Sequence, residues 1–230
     1  MLYYYDHMVA PKNYRRKPLD LLNGALRTFA RNGYARSSIV MIASESGVST
    51  RTIYNQYAGK AELFKAVIEF STRQMADHHI NLIRTSMVGR SLPEALFDFA
   101  ERWIRAGNRY VDHDALVRQV QAERDHIPQA ALDTWVTLGP LRVRAVLEDE
   151  LRRLFAETGA PLSDPAAAAT HLMLLIGGDP ISRGFYRAEP LDEGYLVTMA
   201  RDGAKVFLNA YTSQHVTRPR RGDPRSECQG

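Results

Sequence analysis

The chain has 230 residues, 45% of them hydrophobic and 24% charged, which is enough for a sizeable core and ordinary for a globular protein. No run of about 18 apolar residues occurs, so no transmembrane helix is expected, and the lone Cys228 excludes an internal disulfide or a cysteine-based zinc site. The net charge of +4 is uneven: residues 1–60 carry nine basic and three acidic side chains, a net +6, and the remainder is −2. A basic head on an acidic body suits a polyanionic partner for the head alone.

The opening Met1–His7 lacks the basic start, apolar stretch and cleavage site of a signal peptide, and Met8 is an alternative start. Residues 1–17 read as a flexible basic arm. Apolar residues then recur at spacings of three and four almost throughout, without strand-like alternation, which predicts an all-α fold. The first helix is expected over Pro18–Asn32, with Leu22, Leu26, Phe29 and Ala30 as its apolar stripe and Gly33 as its terminator. The second is expected from about Ser38 to Ser46, capped by Ser37 or Ser38 and stopped by Gly47, and the third over Thr50–Tyr57, capped by Ser49. A long helix follows over Lys60–Ser86. Further helices are expected near 92–109, 113–125, 128–157, 164–186 and 192–213. Gly139-Pro140 should kink or split the third of these, and Asp179-Pro180 should bend the fourth. The charged, Pro- and Gly-rich stretch from Thr217 reads as disordered. The expected organisation is an arm at 1–17, a helix-turn-helix domain at 18–64, a helical ligand-binding and dimerisation domain at 65–215 and a tail at 216–230.

The informative stretch is Ile42–Tyr54. A helix-turn-helix needs a small residue where two helices cross, and Ala43 supplies it. It needs a left-handed turn, supplied by Gly47, and apolar locks, supplied by Ile42, Val48 and Ile53. The outer face of the second helix is polar: Thr50, Arg51, Thr52, Asn55 and Gln56. At roughly 10 Å long, that helix suits a major groove about 12 Å wide. Arg51 suits the O6 and N7 edge of guanine, Asn55 an adenine edge, and the threonine methyls thymine. Tyr54, Tyr57, Lys60 and the start of the second helix suit phosphates.

These residues resemble the tetracycline-repressor (TetR/AcrR) family. The likeness covers roughly Leu19–Val67. It runs through Phe29-Ala30-Arg31-Asn32-Gly33-Tyr34, then Ile42–Ser49, then Thr52-Ile53-Tyr54-Asn55-Gln56-Tyr57, then Lys60-Ala61-Glu62-Leu63-Phe64. Ser37-Ser38 stands where the family often has threonine. The resemblance places the DNA-facing positions at Ser38, Thr50, Arg51, Thr52, Tyr54, Asn55, Gln56 and Lys60. It implies a homodimer on double-stranded DNA with two palindromic half-sites, released by a small-molecule effector. Arg118–Glu123 and Gly178-Asp179-Pro180 with Arg183 resemble the C-terminal domain of AefR-like members. The last two long helices, with Leu172, Leu175, Ile176, Phe185, Val197, Val206 and Leu208, would form the dimer interface.

Phe97, Phe99, Trp103, Tyr110, Trp135, Met173, Tyr195 and Met199 are candidate lining for an effector pocket, or else plain core. His171 is a core histidine or a ligand-orienting one. Adjacent His78 and His79 face different ways on a helix and do not share a zinc easily, and Asp112-His113-Asp114 suits a helix N-terminus. His126 completes the set of candidate ligands, and no metal or other cofactor is expected. An all-α enzyme is disfavoured, since no nucleophile set, phosphate loop or paired carboxylates stand out. The expected function is a ligand-released repressor; an activator or ligand-independent regulator with the same head is the alternative.

Overall fold

The computed structural model describes the backbone of residues 12–106, 110–186 and 192–213 and the side chains of 18–106, 110–177 and 192–212. The described elements are helical: α1 (Lys12–Arg36), α2 (Ile39–Ser46), α3 (Thr50–Tyr54), α4 (Lys60–Met87), α5 (Leu92–Ala106), α6 (Val111–Ala122), a 3-10 turn (Arg124–His126), α7 (Gln129–Leu138), α8 (Pro140–Glu157), α9 (Pro165–Tyr186) and α10 (Glu193–Ser213). They form two compact units, one from the described residues within 1–81 and 107–143, the other from those within 82–106 and 144–230. The division differs from the one expected from sequence: α6, α7 and most of α4 belong with the head.

In the first unit, Leu21, Ala25 and Phe29 on α1 close against Ile42 of α2, Ile53 of α3 and Leu63, Phe64 and Val67 of α4. The buried stripe of α1 is therefore Leu21–Ala25–Phe29, at a spacing of four, while Leu22 and Leu26 flank it half-buried. The Phe29 and Phe64 rings meet edge to face at 4.8 Å, and Tyr34 lies 4.8 Å from Phe64. Leu116 and Val120 of α6 complete this core, together with Ile127 and Ala131.

Gly24 decides how closely α2 lies on α1. A Cβ there would come within 2.6 Å of Ser46 Cβ, 2.8 Å of Ser46 Cα and 2.9 Å of Ser46 N. Beside this contact, Glu45 of α2 accepts from Arg27 Nε at 2.7 Å and pairs with Arg31 at 2.9 Å. The hydrogen bond from Arg27, with the charge of Arg31, holds the Glu45 carboxyl below the usual carboxylate range.

Helix α1 begins at Lys12, so the basic run Lys12–Lys17 is helical backbone rather than part of an arm. The rest of the expected arm, and the tail from 214, lie outside the described residues. At the other end of α1, Gly33 takes φ 76° and ψ 174° and kinks the chain, and a further turn follows to Arg36. The helix expected over 128–157 is split at Gly139-Pro140 into α7 and α8. Gly139 is buried there, with Thr72 Cγ2 2.8 Å from where a Cβ would sit. By contrast, α9 continues through Pro180 to Tyr186.

The second unit packs Leu96 and Phe99 of α5, Leu151 and Phe155 of α8, Leu172 and Ile176 of α9, and Ala204 and Phe207 of α10. Gly203 of α10 meets the backbone of α9, where a Cβ would lie 2.2 Å from the Leu175 carbonyl oxygen. Arg105 pairs with Glu193 at 3.1 Å, and Arg201 pairs with Glu101. Among the described residues no helix is long and apolar enough to cross a membrane.

Two predictions concern the first unit. Gly24→Ala gains up to about 1 kcal/mol of helix propensity, but its methyl strikes backbone atoms that cannot rotate away, and overpacking costs about 1–3 kcal/mol. The clash wins, and the urea midpoint should fall; an unchanged or raised midpoint contradicts the contact. The second prediction concerns pH. Burial pushes His79 and His113 from an ordinary 6.5 down to about 4. Between these values the unfolded chain binds more protons than the folded one. Stability is therefore full above about pH 6.5 and declines as pH falls towards 4, by on the order of 3 kcal/mol or less per histidine. His113→Gln should flatten that dependence in urea titrations at pH 7, 5.5 and 4.5.

Candidate nucleic-acid interface

The site begins at the elbow between α1 and α2. Ser38 takes extended geometry, and its hydroxyl accepts from Met41 N at 3.2 Å, so it is the N-cap of α2. Three residues of α2 point inward, Ile39, Ile42 and Ala43, while Val40 and Met41 are exposed. Gly47 ends the helix in the left-handed region at φ 67° and ψ 26°, and Val48 N returns to the Ala43 carbonyl at 3.1 Å. A side chain at Gly47 would meet no atom within 4 Å, so the glycine is required by backbone conformation, not by crowding.

Ser49 caps α3 by accepting from Thr52 N at 3.1 Å, and its hydroxyl also bonds the Thr52 hydroxyl at 2.9 Å. Regular helix stops at Tyr54, three residues short of the expected end. The last turn is carried by Gln56 N and Tyr57 N, both donating to the Ile53 carbonyl. Ile53 is fully buried and sets the inward face of this short helix.

The expected DNA-facing residues separate into three groups. Ser38, Arg51, Tyr54, Asn55 and Gln56 are exposed, and Tyr54 keeps 59% of its surface open. Thr50, Thr52 and Tyr57 are half-buried, with the Thr52 hydroxyl turned to Ser49. Lys60 is placed differently. Its ammonium donates to the carbonyls of Tyr34 at 3.0 Å, Ala35 at 3.3 Å and Ser37 at 3.2 Å, and it lies 4.5 Å above the Tyr34 ring. All three of its N–H donors are spent inside the protein, which a free phosphate-binding lysine would not do. Arg51 makes no ion pair among the described residues, whereas Arg27 and Arg31 are committed to Glu45.

The expected effector-pocket residues are divided between the two units. Phe99 is fully buried in the second unit, 5.5 Å from Trp103, and Met173 and Met199 are half-buried there. His171 is exposed rather than in the core, and its Nδ1 bonds the Tyr211 hydroxyl at 2.6 Å. Trp135 belongs to the first unit, packed against its core. A cavity of about 290 Å³ lies elsewhere, between α1, α4 and the start of α6, lined by residues that include Asn23, Ser71, Gln74, Tyr110 and His113. Of the candidates only Tyr110 reaches it. His113 Nδ1 and Ser71 Oγ form a buried pair 2.8 Å apart on its wall. No group of three or more metal-ligating side chains comes together among the described residues.

Two family models match the chain. One, described as bacterial regulatory proteins of the tetR family, covers residues 21–67; the other, an AefR-like transcriptional repressor C-terminal domain, covers residues 94–213. The HTH-type transcriptional activator FasR of Mycolicibacterium smegmatis is 27% identical over 132 residues, 54% of this chain and 59% of that protein. The chain's match thus spans less than two thirds of this relative's length. A TetR-family transcriptional regulator from Mesorhizobium loti MAFF303099 superposes with a TM-score of 0.76 at 23% identity, covering 87% of this chain and 99% of that one. The Flavonoid-responsive Regulator FrrA does so at 0.64 and 24% identity, over 85% and 97%. At such identities the likeness is one of fold.

The placement of Lys60 yields a prediction. Lys60→Ala should lower the thermal midpoint of the head while leaving the slope of log affinity against log salt unchanged. A phosphate contact would instead reduce that slope by about one. Titrations at four salt concentrations separate the two.

Proposed function

Since the chain belongs to the tetR family of bacterial regulatory proteins and carries an AefR-like C-terminal domain, we propose that it represses transcription from a palindromic operator. It binds as a homodimer and leaves DNA when a small, apolar effector occupies the C-terminal region. The observation that carries the DNA-reading part is the set of exposed polar side chains on α3, Arg51 foremost, opposite the buried Ile53. The helix is about 7.5 Å long and fits the width of a major groove. In that pose Arg51 forks onto guanine, Asn55 onto adenine, and Tyr54 and the capped start of α2 meet the backbone.

Exposed Leu174 and Leu175 on α9 and Val206 on α10 support a dimer face. Leu172, Ile176 and Leu208 are already buried within one copy, so the face is narrower than the sequence implied. For the effector, Phe99, Trp103, Met173 and Met199 remain the proposed lining, all in the second unit. A second reading, activation rather than repression, is supported by the relative named as an activator.

The test is selection from random duplex DNA with the purified full chain, followed by reporter assays on the selected site. A two-half-site palindrome is the expected outcome, with reporter output rising when the gene is removed. Falling output favours the activator, and failure to enrich any sequence overturns the DNA-reading proposal. Arg51→Ala should lower affinity for the selected site by about 1–3 kcal/mol, which is at least fivefold. Affinity for random DNA should fall far less, and the oligomeric state should be unchanged. Equal affinity in gel-shift titration would remove Arg51 from the base-reading set.

A further inference from the structure

The elbow between α1 and α2 presents a problem of unpaired backbone. After Gly33 turns into the left-handed region, Tyr34–Arg36 form a single turn with its own exposed N–H and carbonyl ends. The last carbonyls before and at the kink are met locally. Asn32 Nδ2 donates to the Thr28 carbonyl at 3.1 Å, Ser37 Oγ donates to the Gly33 carbonyl at 2.6 Å, and Arg36 Nε donates to the Asn32 carbonyl at 2.9 Å. The single turn is met from outside. Lys60, at the start of α4, takes the carbonyls of Tyr34, Ala35 and Ser37. Glu123, just past the end of α6, accepts the Ala35 N–H on its Oε2 at 2.8 Å. An anion thus sits at the N–H end of the turn and a cation at its carbonyl end, the arrangement favoured by the peptide dipoles.

Two facts make the Glu123 contact specific. The other carboxylate oxygen, Oε1, lies 2.1 Å from where a Cβ of residue 33 would stand, and Gln119 Oε1 lies 3.0 Å away. Gly33 therefore serves twice, by supplying φ 76° and by letting a carboxylate lie against the chain. Glu123 is itself fixed at a corner: its N–H donates to the Gln119 carbonyl at 2.9 Å, and its carbonyl accepts from His126 N at 2.8 Å.

We propose that Glu123 is a positioning residue for the helix-turn-helix: it is an N-cap delivered by α6 to the elbow that aims α2. Without that acceptor the Ala35 N–H loses its partner, the elbow loosens, and α2 and α3 no longer hold one fixed angle. This rests on the DNA-reading function proposed above and names a side chain beyond α1–α4, within the same unit, that holds the elbow of that site.

The test uses the full chain, the operator selected above and two near-isosteric variants. Glu123→Met removes the acceptor with little change of volume, and Glu123→Gln keeps an acceptor oxygen. Loss of a cap predicts about tenfold weaker operator binding for Glu123→Met, and Glu123→Gln should restore it to within about threefold of wild type. In hydrogen exchange the Ala35 amide should speed up about tenfold in Glu123→Met, while the Ile42 and Ile53 amides stay protected and show that the head is folded. Operator affinity unchanged in Glu123→Met overturns the proposal, as does weakened binding with unchanged Ala35 exchange. If Glu123→Met fails to fold, Glu123→Gln alone decides: wild-type affinity and Ala35 exchange support the cap, and loss of both overturns it. Should wild type bind no duplex at all, the DNA-reading function fails instead, and the exchange data still report on the cap.

Discussion

The seat of α2 on α1 is the constraint from which the head follows. Without a side chain at Gly24, the backbone of Ser46 comes as close as a hydrogen would allow, and α2 has one depth at which it fits. Packing at native density makes that depth hard to change, because backbone atoms cannot rotate away from a clash. Burial of Ile39, Ile42 and Ala43 sets the rotation of α2 about its axis, and Glu45 reaches both Arg27 and Arg31 beside them. With depth and rotation set, Gly47 and Ser49 leave α3 a single course, and Ile53 drops into the core while Arg51, Asn55 and Gln56 face outward. The outward polar face of α3 is thus a consequence of how α1 receives α2 at Gly24.

The basic character of the head is used in two ways. Arg27, Arg31 and Lys60 are spent on holding the head together, on a carboxylate in two cases and on peptide carbonyls in the third. Arg51 makes no ion pair among the described residues and stands at the exposed start of α3. The net +6 of the first 60 residues is therefore a poor count of phosphate contacts. It still sets the long-range potential, since a charge paired or capped inside the head is not removed from the total.

The sequence by itself determined the helical class, the turn and the polar face of α3, and the family to which these belong. Those depend on local chemistry: the capping serines, the left-handed glycine and the three- and four-residue apolar spacing all act within a few residues of themselves. Only the tertiary structure decided which side of α1 is buried, that α6 belongs with the head, and that Lys60 is a structural clamp. It also exposed His171 and removed Trp135 from the second unit. Nothing near Gly24 announces Ser46, and nothing near Ala35 announces Glu123, 88 positions away. A mid-helix glycine, or a glutamate at a helix end, reads as neutral along the chain. Its role comes from a partner that only folding brings within reach, and for that reason the polar face of α3 was legible while the contacts that seat α2 and brace the elbow were not.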